Sequence, residues 1–338
     1  MNKPSHINKQ RPTLKTISEL SGLAVATVSR ALGDAPDISP KTKEKVRTIA
    51  KQIGYVPNRA GVRLRTGRTN VISVVISSET DMMNSRLISA ISSGLRDTNY
   101  HLNIMHCFQN DDPMDPIRYI VETASADCVI IDAIEVNDPR VDYLSSRKFP
   151  FVMHGRRFQE EPYSYFDYDN EKYGELAVNE LIKRGRKRIL VILPPKQQFY
   201  SQLIFKGANL ATNDQPVELI VNENITSGDT IRKISYHVEE LINEDPNIDG
   251  IVVPTNNDAM ACIVSFERKG KKIGQNFDLV AKETISFLKL FRKEIIIFEE
   301  DLNKAGSFLA KAAINAAKDP QNQVMQLLDL PKPTKVKS

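Results

Sequence analysis

The sequence predicts two domains of different class. An all-α helix-turn-helix domain occupies residues 13–57, and an α/β domain of doubly wound parallel sheets in two lobes occupies residues 70–330. Three observations carry this. Two short helical patterns flank a glycine and precede a third helix with its own start signal; charge is divided unevenly along the chain; and from residue 70 short apolar runs alternate with amphipathic stretches.

Leu14, Ile17 and Leu20, spaced i, i+3, i+6, form one apolar stripe on a short helix that ends near Ser21, where Gly22 breaks it. A second helix begins near Ala24 and turns Val28 and Leu32 inward, leaving Val25, Ala26, Thr27, Ser29 and Arg30 for an outer surface. Two helices joined by a short glycine-containing turn form a helix-turn-helix, whose second helix enters the major groove of DNA. Ser39-Pro40 starts the third helix, because Ser caps free N–H groups and Pro suits the first helical position. Val46, Ile49, Ala50 and Ile53 are its core face, and Tyr55-Val56-Pro57-Asn58 ends it.

Residues 1–68 hold fourteen Lys or Arg against four acids, a surplus of ten positive charges; the remaining 270 residues hold 32 against 38, a deficit of six. A concentrated basic module gains affinity for nucleic acid by neutralising phosphates and releasing counterions, so its binding falls steeply with salt. The later apolar runs are VISVVI (71–76), LNIM (102–105), DCVIID (127–132), FVMH (151–154), RILVIL (188–193), GIVVP (250–254) and EIIIF (294–298). Near-continuous apolar strands separated by helices indicate parallel sheets covered on both faces. Ligands of such sheets collect at the carboxyl ends of strands, so loops at 77–84, 153–157, 193–204, 254–258 and 280–285 are expected to face a cleft.

The run TISELSGLAVATVSRAL, then ISPKTKEKV, then GYVPNRAGVRLRTGRTNVISVVI, resembles the N-terminal part of LacI-type (lactose and galactose repressor) transcription regulators, with weaker likeness to about residue 320. The resemblance implies a sequence-specific DNA-binding regulator, a repressor by default. It would bind a palindromic operator as a homodimer under allosteric control by a small-molecule effector held in a periplasmic-binding-protein-like domain. It implies that Val25, Ala26 and Arg30 read each half-site, and the chemistry agrees: Arg pairs bidentately with guanine, whereas Val and Ala offer contact only to thymine methyls. Thr27 and Ser29 would position the helix on phosphates, or simply face solvent, and Thr13, Tyr55, Asn58, Arg59 and Arg65 complete the implied DNA contacts. Ala24 departs from the Ser that usually caps this helix. Residues 58–69 would be a hinge helix and linker that drives Leu64 into the minor groove at a central CpG step; an exposed Leu between Arg63 and Arg65 suits such a wedge. The bland alternative is a flexible basic linker. Gly61 weakens the hinge by about 1 kcal/mol relative to Ala.

In the effector domain the resemblance implies an N-lobe of about 70–168 and 300–320, a C-lobe of about 169–298, and crossovers near 166–171, near 298–301 and after 320. The implied effector-binding residues are Asp81, His154, Arg156, Tyr200, Asn257 and Glu283. Asp258 would cap the following helix, and Arg156 would bind an anion or bridge the lobes. The strip Lys196, Gln197, Gln198, Phe199, Tyr200 is either a carbohydrate wall or an exposed loop. The pocket departs from the family at Ile204, where an Arg is usual, at Glu283, where an Asp is usual, and at Asp81-Met82-Met83-Asn84. A sugar or sugar derivative is the first expectation for the effector, followed by another small metabolite or loss of ligand binding.

Enzymatic and metal chemistry have no support. Cys107, Cys128 and Cys262 lack CxxC spacing and read as buried, reduced thiols; five His form no HExxH, and there is no P-loop or GxSxG elbow, so no cofactor is expected. Residues 1–12 read as a disordered basic arm without an apolar leader, 331–338 as a disordered tail, and no run approaches a membrane span, so a cytoplasmic protein with no membrane partner is expected. A transport-type sugar-binding protein would share the second domain but not residues 13–68.

Overall fold

A computed structural model describes residues 12–56, 61, 63, 66–76, 82–108, 111–158, 160, 162–319 and 321–333. The chain divides into two units, Met1–Thr69 and Asn70–Ser338.

The first unit contains α1 (Leu14–Ser21), α2 (Val25–Leu32) and α3 (Pro40–Gln52). Thr13 caps α1 by accepting the Thr16 N–H, and Gly22 closes it in the left-handed conformation, φ 70°, that glycine adopts without a Cβ penalty. Ser39 caps α3, accepting the Thr42 N–H, with Pro40 at the first position. The core is Ile17, Val28, Ala31, Val46 and Ala50, with Leu14, Leu32, Ile49, Ile53 and Tyr55 packed around it. Leu20, expected in that core, is 58% exposed. At 100° per residue, position i+4 from Ile17 falls closer to the buried face than i+3, and Ser21 is the residue buried there.

The second unit is two six-stranded sheets. In the N-lobe, strands run in the order β2 (His101–His106), β1 (Val71–Ile76), β3 (Cys128–Ile131), β4 (Phe151–His154), β5 (Tyr165–Tyr168), β11 (Gln326–Asp329), all parallel. In the C-lobe the order is β7 (Glu218–Ile220), β6 (Arg188–Val191), β8 (Gly250–Val253), β9 (Asp278–Glu283), β10 (Ile296–Glu299), with β12 (Lys332–Pro333) antiparallel at the edge. The chain passes between lobes after β5, after β10 and after β11.

Helices cover both faces of each sheet, as fully buried parallel strands require. In the N-lobe, α4 (Met82–Gly94) and α12 (Leu302–Lys318) cover one face, and α5 (Met114–Thr123) and α6 (Pro139–Ser146) the other. In the C-lobe, α7 (Asn170–Lys183) and α8 (Phe199–Thr212) oppose α9 (Ile231–Glu244), α10 (Asn256–Arg268) and α11 (Leu288–Phe291). Helices α7 and α8 meet backbone to backbone at two glycines. A Cβ on Gly207 would lie 1.9 Å from the Glu171 carbonyl oxygen, and one on Gly174 2.2 Å from that of Ile204. Two departures from expectation matter for the cleft. Part of the loop expected at 280–285 is the end of the buried strand β9, and Lys332–Pro333, in the stretch expected to be disordered, pairs with Phe298 and Glu299.

Candidate functional site

The outer face of α2 is built by what its inner face buries. Val28 and Ala31 are fully buried against α1 and α3, which leaves Val25, Ala26 and Arg30 exposed and Thr27 and Ser29 half-buried on the opposite side. No side chain caps α2 at Ala24. Arg30 forms an ion pair with Asp37, both about half exposed, so the guanidinium stands at the solvent-facing side of α2. Asp34, held with φ 58°, pairs with Lys43 and Arg47; the hydrogen bond and charge of Lys43, helped by Arg47, hold its carboxyl below the usual range. Thr13 is exposed at the start of α1, while Tyr55 packs its ring on the core and burial raises its phenol pKa. Residues 61, 63 and 66 are helical, and Gly67 N–H donates to the Arg63 carbonyl at 2.8 Å. Asn58, Arg59, Leu64 and Arg65 lie outside the described residues, as does Asp81 of the effector domain.

Between the lobes, strand ends and crossovers bring a set of buried charges together. His154, at the end of β4, places Nδ1 2.8 Å from Asp132 Oδ1 and Nε2 3.9 Å from Glu300 Oε1. Burial opposes a charged imidazole, but the hydrogen bond and charge of Asp132, helped by Glu300 and Asp167, outweigh it and raise the His154 pKa. Lys282 Nζ lies 2.9 Å from Glu300 Oε2, 3.4 Å from Asn170 Oδ1, and over the rings of Tyr168 and Tyr200 at 5.2 and 5.5 Å from their centroids. Arg156 Nε donates to Asp167 Oδ2 at 2.8 Å. Burial pushes the Asp167 carboxyl up to about 6 despite the Arg156 charge. Burial likewise raises the Tyr200 phenol, which hydrogen-bonds Ser227.

A short strap also joins the lobes. Val136 N–H donates to the Gln197 carbonyl at 3.0 Å and Phe199 N–H to the Ile134 carbonyl at 3.2 Å, with Glu135 and Gln198 paired as an antiparallel bridge between them. It links the loop after β3 to the loop after β6, so the strip at 196–200 has exposed side chains at Lys196 and Gln197 but is joined to the other lobe from the Gln197 carbonyl onward.

Residues 13–58 match the family described as bacterial regulatory proteins, lacI family, and residues 69–307 match the periplasmic binding proteins and sugar binding domain of LacI family. The chain belongs to the LacI family. It is a DNA-binding transcriptional regulator with a two-lobed effector domain, and its relatives are regulators, not enzymes. It is 25% identical over 311 residues to the HTH-type regulator AglR of Rhizobium meliloti, covering 89% of this chain and 86% of the relative. It is 34% identical over 183 residues to RafR of Escherichia coli, covering 53% and 54%. Among solved structures, the lac repressor dimer bound to operator and the anti-inducer ONPF superposes with a TM-score of 0.82 at 17% identity, over 96% of this chain and 98% of that one. A CelR–cellobiose complex gives 0.70 at 20% identity, over 96% and 99%. No helix among the described residues is long and apolar enough to cross a membrane.

Within that family frame the residues expected at the cleft have the following partners. Glu283 was expected to meet the effector, yet its Oε1 accepts the Phe287 and Leu288 N–H groups at 2.9 and 2.7 Å and so holds the turn into α11. Alternation along β9 is the reason, since adjacent residues face opposite sides of a strand and Lys282 therefore takes the face toward Tyr168, Tyr200 and Glu300. The Arg156 partner, Asp167, lies in β5 of the same lobe, so this pair does not bridge the lobes. Thr255, not Asp258, caps α10; Asp258 contributes the N–H that Thr255 Oγ1 accepts. Asn257 is half-buried in the first turn of α10, while its neighbour Asn256 anchors Thr284 and Ile285. Ile204 is fully buried in the C-lobe core, where an arginine would have no water and no partner. Asp132, Asp167, Lys282 and Glu300 were missed. A lysine inside LVAKE and an acid directly after IIFE are the signals that a purely apolar reading of strands passes over.

Proposed function

We propose that this regulator is a cytoplasmic repressor that binds a palindromic operator as a homodimer and is controlled by a sugar effector. The observation that carries the DNA reading is the outer face of α2, where Arg30 is exposed and oriented by Asp37 on a unit with a surplus of ten positive charges. Arg30 reads a guanine in each half-site, Val25 and Ala26 make apolar contacts, Thr13, Thr27, Ser29, Tyr55, Asn58, Arg59 and Arg65 position the backbone, and Leu64 is the minor-groove wedge. One helix-turn-helix makes too few contacts for a specific site, and two-fold symmetry matched to a palindrome supplies the rest. The relatives' domain is a sugar binding domain, and one structural neighbour is a complex with cellobiose.

Control runs through the lobes. An effector that prefers one arrangement of His154, Arg156, Tyr200 and Asn257 across the cleft shifts the population toward it, and with it the spacing at which two hinges pair. The test is selection of source-genome fragments by full-length protein at two salt concentrations, with wild type and Arg30→Ala in parallel. A palindrome with a central CpG, enriched less at high salt and degenerate at one base pair per half-site in the variant, is the expected result. Enrichment without symmetry, or unaltered by the variant, would refute the dimeric half-site assignment.

A further inference from the structure

We infer that the interlobe cleft is built for an uncharged, hydroxyl-rich ligand, and that Glu300 is the specificity-determining residue that keeps anionic sugars out. This rests on the sugar reading above and narrows it. The buried cations at the cleft are each matched by an acid of the chain: Lys282 by Glu300 at 2.9 Å, Arg156 by Asp167 at 2.8 Å, His154 by Asp132 at 2.8 Å. Arg140, eight residues beyond Asp132 in sequence, is bound by Asp138 through both Nε and Nη2. A phosphate or carboxylate entering this set would find no cation whose charge is not already answered, and it would add a negative charge beside three buried acids. Like charges juxtaposed in a low-dielectric site are a strong means of rejecting a wrong partner.

The same pairs suit hydroxyl groups. An ammonium keeps donors beyond the one its carboxylate takes, and a carboxylate keeps lone pairs beyond those its cation fills. Lys282 sits between two tyrosine rings, so it is held in place rather than sweeping the cleft. Position and charge together decide the result: Lys282 would be a good anchor for an anion were it not for Glu300. That acid sits on the crossover directly after β10, buried, with His154 on its other side.

The experiment is calorimetric titration and thermal-shift screening of the full-length protein with glucose, maltose and cellobiose against glucose 6-phosphate and glucuronate. At least one neutral sugar is expected to bind, and neither anion more tightly than neutral glucose. Glu300→Gln keeps the shape and releases the Lys282 charge, so the preference for anionic over neutral sugar should rise by about tenfold or more. Adding Lys282→Met to that variant should remove the gain. An anion binding wild type more tightly than its neutral counterpart, or a ratio that Glu300→Gln leaves unmoved, overturns the inference while leaving a sugar regulator. Silence from every sugar overturns the sugar reading and this inference with it. The wild-type ratio decides even if the variants fold poorly.

Discussion

The two units of this regulator handle charge in opposite ways. In the first, basic side chains stand on the surface of a three-helix core of five buried apolar residues, in surplus and open to solvent. In the second, the charges that matter are buried, few and each paired with an acid of the chain. An exposed surplus acts at a distance and attracts any polyanion, leaving sequence to be read by a few oriented groups such as Arg30. A buried, balanced set attracts nothing from afar, but any ligand must satisfy its geometry. Affinity on one side and selectivity on the other thus follow from where the same residue types are placed.

The comparison breaks most easily in the small core. Ile17→Ala should cost about 2–5 kcal/mol, most of what a domain of this size possesses, and so abolish DNA binding. Differential scanning calorimetry should then show the effector domain's transition unmoved; joint loss of both transitions would mean the units do not fold separately. Arg30→Ala should cost about 1–3 kcal/mol of discrimination at one base pair of each half-site while leaving nonspecific, salt-sensitive binding nearly intact, as measured by competition with mismatched operators.

The buried set predicts an unusual pH response. Asp167 goes from 3.8 unfolded to about 6 folded, so the folded state holds the proton more tightly and stability falls as pH rises from about 4 to about 6. The raised His154 pKa works in the same direction at higher pH: its contribution is full below the unfolded value and is lost as pH rises through the folded one. Asp132, lowered, opposes them only as pH falls into the carboxylate range. Urea denaturation of the effector domain between pH 4 and 7 should therefore show stability declining, by up to ~3 kcal/mol for a two-unit shift; a rise over that window would contradict the assignment. Smallest is the cap: Ser39→Ala should cost the DNA-binding unit about 1 kcal/mol, read from its own melting transition.

How much of this was legible in the sequence depended on range. The DNA-binding unit is specified by neighbours: Thr13 and Ser39 cap helices within three residues, Gly22 makes the turn, and Val28 sits one turn from Ala24. The cleft is specified by partners about twenty residues apart, Asp132 with His154 and Lys282 with Glu300, each of which meets only once neighbouring strands of its own sheet have paired. Strand parity separates two neighbours in β9. Resemblance pointed to Glu283, whose Oε1 holds the Phe287 and Leu288 N–H groups, while the period of two puts Lys282 on the opposite face, against Glu300. β5, YFDY, passed unread because Asp167 interrupts its apolar run, and that interruption is the partner of Arg156.

The claim that lobe arrangement carries the signal has a direct test at the strap. Glu135 and Gln198 face each other as an antiparallel bridge, where Cα atoms lie about 4.5–5.5 Å apart, within disulfide range. The double variant Glu135→Cys/Gln198→Cys should therefore crosslink the lobes on oxidation. Operator affinity would be measured with and without the sugar selected by the titration panel, in the oxidised and reduced protein. The account predicts that the sugar shifts operator affinity in the reduced protein and leaves it unchanged in the oxidised one. An equal shift in both would show that the signal reaches the DNA-binding unit without movement of the lobes.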